Sequence, residues 1–132
     1  MIPYRITIHC TDSPNGECYD IEKIRKDHLA RGWSDVGYHI VLQPDGEVQN
    51  GRSLNEQGAG VLGENDGNVH ICLAGKDKFT KKQFDNLRSK LDSLHQMFNI
   101  QLNNIYGHYE FQSAKDQGKT CPNIRIADLI VW

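Results

Sequence analysis

Six residues near the middle of the chain, Val69-His70-Ile71-Cys72-Leu73-Ala74, form a short and mostly apolar run bounded by Asn68 and Gly75. A strand with one wet face alternates apolar and polar residues, whereas a strand buried on both faces reads as a continuous apolar stretch. The run therefore predicts a buried central strand, and such a strand needs cover on both sides of its sheet.

The flanking segments supply that cover. Thr80 and Gln83 form a capping box, and Phe84, Leu87, Leu91, Leu94 and Phe98 line one side of the helix that it opens. Before the central strand, Tyr4 to His9 alternates as a half-buried strand, and Asp20 caps a helix whose inner face is Ile21, Ile24, His28 and Leu29, ending near Gly32. Residues 38–42 and 47–49 flank Gln43-Pro44-Asp45-Gly46, a hairpin signal. Residues 51–68 read as loop, and a short last helix is expected around 126–131. The expected fold class is α/β, a single domain over residues 1–132 with a central mixed β-sheet flanked by helices.

At 132 residues the chain suits one core. Its charges are interspersed and its net charge is −2, which excludes a basic tail and argues against capture of a polyanion such as DNA. No apolar run approaches the roughly 20 residues of a membrane helix. The N-terminus enters a strand pattern at once and lacks the regions of a secretory signal, so a cytoplasmic protein is expected. Its four cysteines then read as free thiols or a metal ligand in preference to disulfides.

Three dispersed residues have the chemistry of a metal site: His9, His108 and Cys121. Two imidazoles and a thiolate leave a fourth zinc position open, as in catalytic sites. Their spacing does not by itself bring them together. His9 ends a predicted strand, and Pro122 biases Cys121 toward extended backbone, yet His9 and His108 alone read equally well as structural and Cys121 alone reads first as a buried small hydrophobe. His28, His39, His70 and His95 read as structural histidines.

The ordered series Ile8-His9-Cys10-Thr11, Gly32-Trp33-Ser34-Asp35-Val36-Gly37-Tyr38-His39, Pro44-Asp45-Gly46, Gly51-Arg52, Gly58-Ala59, Gly63, Asn65, Ile71 to Gly75, Gly107-His108 and Lys119-Thr120-Cys121-Pro122 spans almost the whole chain. It resembles the type 2, zinc-dependent N-acetylmuramoyl-L-alanine amidases, including small phage endolysins, and the related peptidoglycan recognition proteins. The resemblance implies Zn2+ held by His9, His108 and Cys121, with Tyr38 and Lys119 as the polar catalytic pair. Trp33, Arg52 and Asn65 are the implied substrate contacts. Peptidoglycan or a muropeptide is the implied substrate, with no nucleic acid, no membrane insertion and a monomeric state. Tyr38 suits a hydrogen-bonding orienter better than a strong base, since a phenol has an unperturbed pKa of about 10.

Three departures stand out. The family often has a histidine where this chain has Gly60, so a substrate contact there is missing or supplied elsewhere. His70 stands where a small residue is usual. The polar stretch between His108 and Cys121 is longer than in the shortest phage enzymes and is expected to shape specificity. Two other classes remain: a non-catalytic peptidoglycan-binding module, and a cysteine hydrolase with Cys121 as nucleophile and His108 as base. A cytosolic muropeptide-recycling amidase would share the endolysin's chemistry.

Overall fold

The run around Ile71 is a strand, Asn68–Leu73, and all six of its residues are buried. In the computed structural model, which describes residues 1–129, the chain order is β1 Arg5–Cys10, α1 Ile21–Ala30, β2 Ile40–Leu42, β3 Val48–Asn50, β4 Asn68–Leu73, α2 Lys81–Phe98, β5 Ile105–Gly107, α3 Gln112–Asp116 and α4 Ile126–Leu129. The strands lie in the order β3-β2-β4-β1-β5, which makes β4 the middle strand. Among the described residues, β1 pairs in parallel with β4 and β5, β2 pairs in parallel with β4, and only the β2–β3 hairpin is antiparallel. The expected mixed α/β sheet is what forms. Of the helix expected at 126–131, residues 126–129 are helical and the rest lies outside the described residues.

Alternation along the strands divides the core. Ile6 and Ile8 of β1, Ile40 and Leu42 of β2, and Val69, Ile71 and Leu73 of β4 form one cluster with Leu87, Leu91 and Leu94 of α2. Each such leucine contributes roughly 1.5–3 kcal/mol by burial. Residues of opposite parity, Val41 and Cys72, belong to a smaller cluster with Ile21 and Ile24 of α1 and with Val36.

Both long helices start as their sequences predict. Thr80 and Gln83 make the reciprocal capping box, and Gln83 Nε2 also donates to the carbonyls of Leu42 and Ala74, which pins the head of α2 to β2 and β4. Asp20 Oδ1 accepts from Glu22 N at 2.8 Å. The inner face of α1 is narrower than expected. Leu29 is 49% exposed, because this ten-residue helix seats only Ile21, Ile24 and His28, one residue per turn.

The strand β5 has no counterpart in the sequence reading. Three residues are too few to show a period, and Ile105-Tyr106-Gly107 is paired by tertiary contact with β1. This short strand positions the site.

Candidate metal centre

Ile8 of β1 lies opposite Gly107 of β5 in a parallel register. The residue after each is a histidine, so His9 and His108 stand side by side at neighbouring strand ends, with ring centroids 4.8 Å apart. The carboxyl ends of parallel strands are where open α/β sheets present ligand sites. After His108 the chain makes a short turn whose start is fixed by Glu110 Oε2, which accepts from Gly107 N at 2.7 Å. It then forms α3, so the polar stretch 112–117 is largely helix and its C-terminal turn.

Tyr109 N donates to the Cys121 carbonyl at 3.1 Å, and this bond draws the end of the loop back to its beginning. His108 Nδ1 and Cys121 Sγ are then 3.2 Å apart. The ligand atoms of His9, His108 and Cys121 all lie within 4.8 Å of one another. Zinc–nitrogen and zinc–sulfur bond lengths place tetrahedral ligand atoms roughly 3.3–3.6 Å apart, so inward shifts of less than about 1 Å each would close the set on an ion.

The electrostatics suit a cation. The Cys121 thiol is pulled well below its ordinary value, first by a hydrogen bond from the Cys10 thiol and further by His108, against the opposing effect of burial. The Cys10 thiol is pushed far up, chiefly through the same bond, and so stays protonated. Burial lowers His9 and keeps its imidazole neutral, the form that ligates. Cys10 was not singled out as a site residue; its adjacency to His9 was the available clue.

The remaining sequence candidates take different positions. The Tyr38 ring lies tilted against that of His9, with centroids 5.0 Å apart, and its phenol is pushed well above 10, first by desolvation, so it stays protonated at neutral pH. Lys119 follows α3, donates its backbone N–H to Ala114 O at 2.9 Å and has an exposed side chain. Trp33 packs on His28, with ring centroids 4.5 Å apart, and closes the end of α1. Arg52 donates Nε to Val36 O at 2.8 Å and Nη1 to Gln57 O at 2.7 Å, which clamps two loops together. Asn65 Oδ1 accepts from Gly60 N and Val61 N, both at 3.0 Å, and organises the loop before β4.

The other histidines have structural partners. His28 accepts from Gly37 N at 2.8 Å, His39 Nε2 donates to Glu56 O at 2.8 Å, and His95 Nδ1 donates to Ile100 O at 2.9 Å. His70 differs from them, because its Nδ1 lies 2.9 Å from His9 Nε2.

Fold and site together define an α/β protein with a three-residue, metal-competent centre at its strand ends. Residues 2–124 match the N-acetylmuramoyl-L-alanine amidase family, and the chain belongs to that family. It is 35% identical over 97 residues to the endolysin of Escherichia phage T7, an alignment covering 67% of this chain and 64% of the endolysin, so just under two thirds of that relative is represented. Its fold superposes on the N-acetylmuramoyl-L-alanine amidase LysC from Clostridium intestinale with a TM-score of 0.83 and 26% identity, covering 96% of this chain and 82% of that one. Drosophila PGRP-LB superposes with a TM-score of 0.82 and 25% identity over 99% of this chain and 81% of that one. No helix among the described residues is long and apolar enough to cross a membrane.

Proposed function

We propose that this chain is a zinc-dependent peptidoglycan amidase that hydrolyses the amide between N-acetylmuramic acid and the L-alanine of the stem peptide, in the manner of a phage or prophage endolysin. The convergence of His9, His108 and Cys121 at the ends of β1 and β5, in a chain of the amidase family, carries this reading. Two imidazoles and a thiol held toward its thiolate form are the donor set of a catalytic zinc site. Zinc there supplies a Lewis acid that polarises an amide carbonyl and acidifies water.

The protein's own groups account for the remaining work. The Tyr38 phenol, protonated at neutral pH beside His9, donates a hydrogen bond that orients water or the scissile carbonyl. Lys119, two residues before Cys121 on an exposed turn, brings an ammonium to stabilise negative charge developing on the carbonyl oxygen. Trp33, Arg52 and Asn65, each partly buried, shape the surrounding loops that would meet a substrate's glycan or peptide. The protein acts as a monomer that accumulates in the host cytoplasm before it reaches the wall.

The test is mass spectrometry of purified sacculi after digestion. New free L-alanine amino termini, abolished by chelation and restored by zinc, are expected; cleavage elsewhere, or none, refutes the assignment. The His108–Cys121 distance of 3.2 Å also fits a cysteine hydrolase. Cleavage that survives chelation but not thiol alkylation would establish that reading instead.

A further inference from the structure

His70 is fully buried on the middle strand, opposite Thr7 in the β1–β4 register, and its side chain lies behind His9. Its hydrogen bonds determine where each proton sits. Asn65 Oδ1 already accepts from two backbone N–H groups, which identifies it as the carbonyl oxygen of the side-chain amide. The bond of 3.0 Å between His70 Nε2 and this oxygen must therefore be donated by His70. A neutral imidazole with its proton on Nε2 has only a lone pair on Nδ1. His9 Nε2, 2.9 Å from that lone pair, must in turn be the donor. The lone pair of His9 is then left on Nδ1.

We infer that His70 is a positioning residue: backed by Asn65, it holds His9 in the Nε2–H form and so turns the Nδ1 lone pair toward His108 and Cys121. A ligating histidine whose second nitrogen donates to a fixed acceptor is oriented and made more basic, and removal of such an acceptor typically costs about 10- to 100-fold in metal affinity. The acceptor here is itself immobilised. The His70 ring stacks on His39 at 5.9 Å, and its backbone N–H donates to His39 Nδ1 at 3.0 Å.

The arrangement also explains Gly60. A Cβ there would lie 2.7 Å from His70 Nδ1 and 2.9 Å from His9 Nε2, so any side chain at position 60 would collide with the bonded pair. The glycine at 60 and the histidine at 70 are one packing solution.

The inference rests on His9 being a ligand, as proposed above, and the experiment separates the two claims. Long-range 15N–1H correlation of histidine rings in the metal-free protein is expected to show His9 as Nε2–H. Zinc dissociation constants from chelator competition are expected to rise 10- to 100-fold in His70→Leu. His70→Asn, which returns an acceptor oxygen near the former Nδ1, should recover most of that loss. Asn65 keeps its two backbone donors in either variant.

An Nδ1–H His9 in the unmodified protein, wild-type zinc affinity in a folded His70→Leu, or no recovery in His70→Asn would each overturn the inference. If His70→Leu does not fold, the tautomer of the unmodified protein decides. A wild-type protein that binds no zinc refutes the ligand set itself, and the inference with it.

Discussion

The two faces of the sheet are built from the same strands but from different chemistry. Toward α2, β1, β2 and β4 present Ile6, Ile8, Ile40, Leu42, Val69, Ile71 and Leu73, and the leucines of one helix complete that layer. Toward α1, the same strands present Thr7, His9, Val41, His70 and Cys72, all buried. The polar groups on this side are partnered with one another or with loops, as in the bond from Thr7 Oγ1 to Asn68 Oδ1 at 2.7 Å. A buried polar group is tolerated only when hydrogen-bonded, so this face must specify its loops in detail while the aliphatic face need only fill space. One face holds the fold together and the other holds a site.

The sharpest way to break this contrast is to remove a proposed ligand. Cys121→Ala is expected to abolish zinc retention and to lower amidase turnover by at least about 1,000-fold, since metal stabilisation of transition-state charge is worth several kcal/mol. Metal analysis and a sacculus assay read the two effects. Wild-type turnover in zinc-replete Cys121→Ala protein would remove Cys121 from the ligand set.

The opposite face should respond in stability instead. Leu87, 1% exposed, packs in the middle of the aliphatic layer, and Leu87→Ala is expected to cost about 2–5 kcal/mol while leaving the zinc affinity of the folded protein unchanged. Denaturant unfolding with a parallel zinc titration tests both halves. A weakened zinc site in the folded variant would mean that the two faces are coupled through β4.

A third substitution separates holding the ion from using it. Lys119→Ala is expected to retain zinc and to lose about 100- to 1,000-fold in turnover, the usual cost of deleting a donor to developing negative charge. Because Lys119 is exposed, its thermal stability should barely change. Unaltered turnover would leave Lys119 as an ordinary surface charge.

The same asymmetry governs what could be read before the structure. Burial patterns with a period announced β4, α2 and the hairpin, because an apolar run, a leucine stripe and a turn motif are local signals. The site face is made of non-local register. His9 and His108 meet only because Ile8 pairs with Gly107, and β5 exists only because β1 is there to pair with it. The candidate ligands were accessible through the resemblance of ordered motifs, whereas their geometry was not. Gly60 and His70 looked like two separate departures in the sequence. The steric conflict that makes them one arises in three dimensions, between a loop and a strand ten residues apart.

The smallest predicted effect compares the faces by pH. His28, on α1, is 5% exposed, and burial, followed by the charge of Arg31, lowers it from 6.5 to about 4. Its Nδ1 accepts the Gly37 N–H, a bond that a protonated imidazole could not keep. The unfolded chain takes up this proton near pH 6.5 and the folded chain only near 4. The associated stability is therefore complete above 6.5 and is lost as pH falls toward 4, on the order of 1–2 kcal/mol by pH 5. The aliphatic face has no buried titrating group among its clustered residues and should contribute nothing to this slope. In thermal unfolding of metal-free protein, the advantage of wild type over His28→Gln should narrow between pH 6.5 and 4, while its advantage over Leu87→Ala stays constant. A wild-type advantage over His28→Gln that does not change with pH would show that the His28 proton is bound equally well in both states, and the polar face would then owe its acid sensitivity to the histidines nearer the centre.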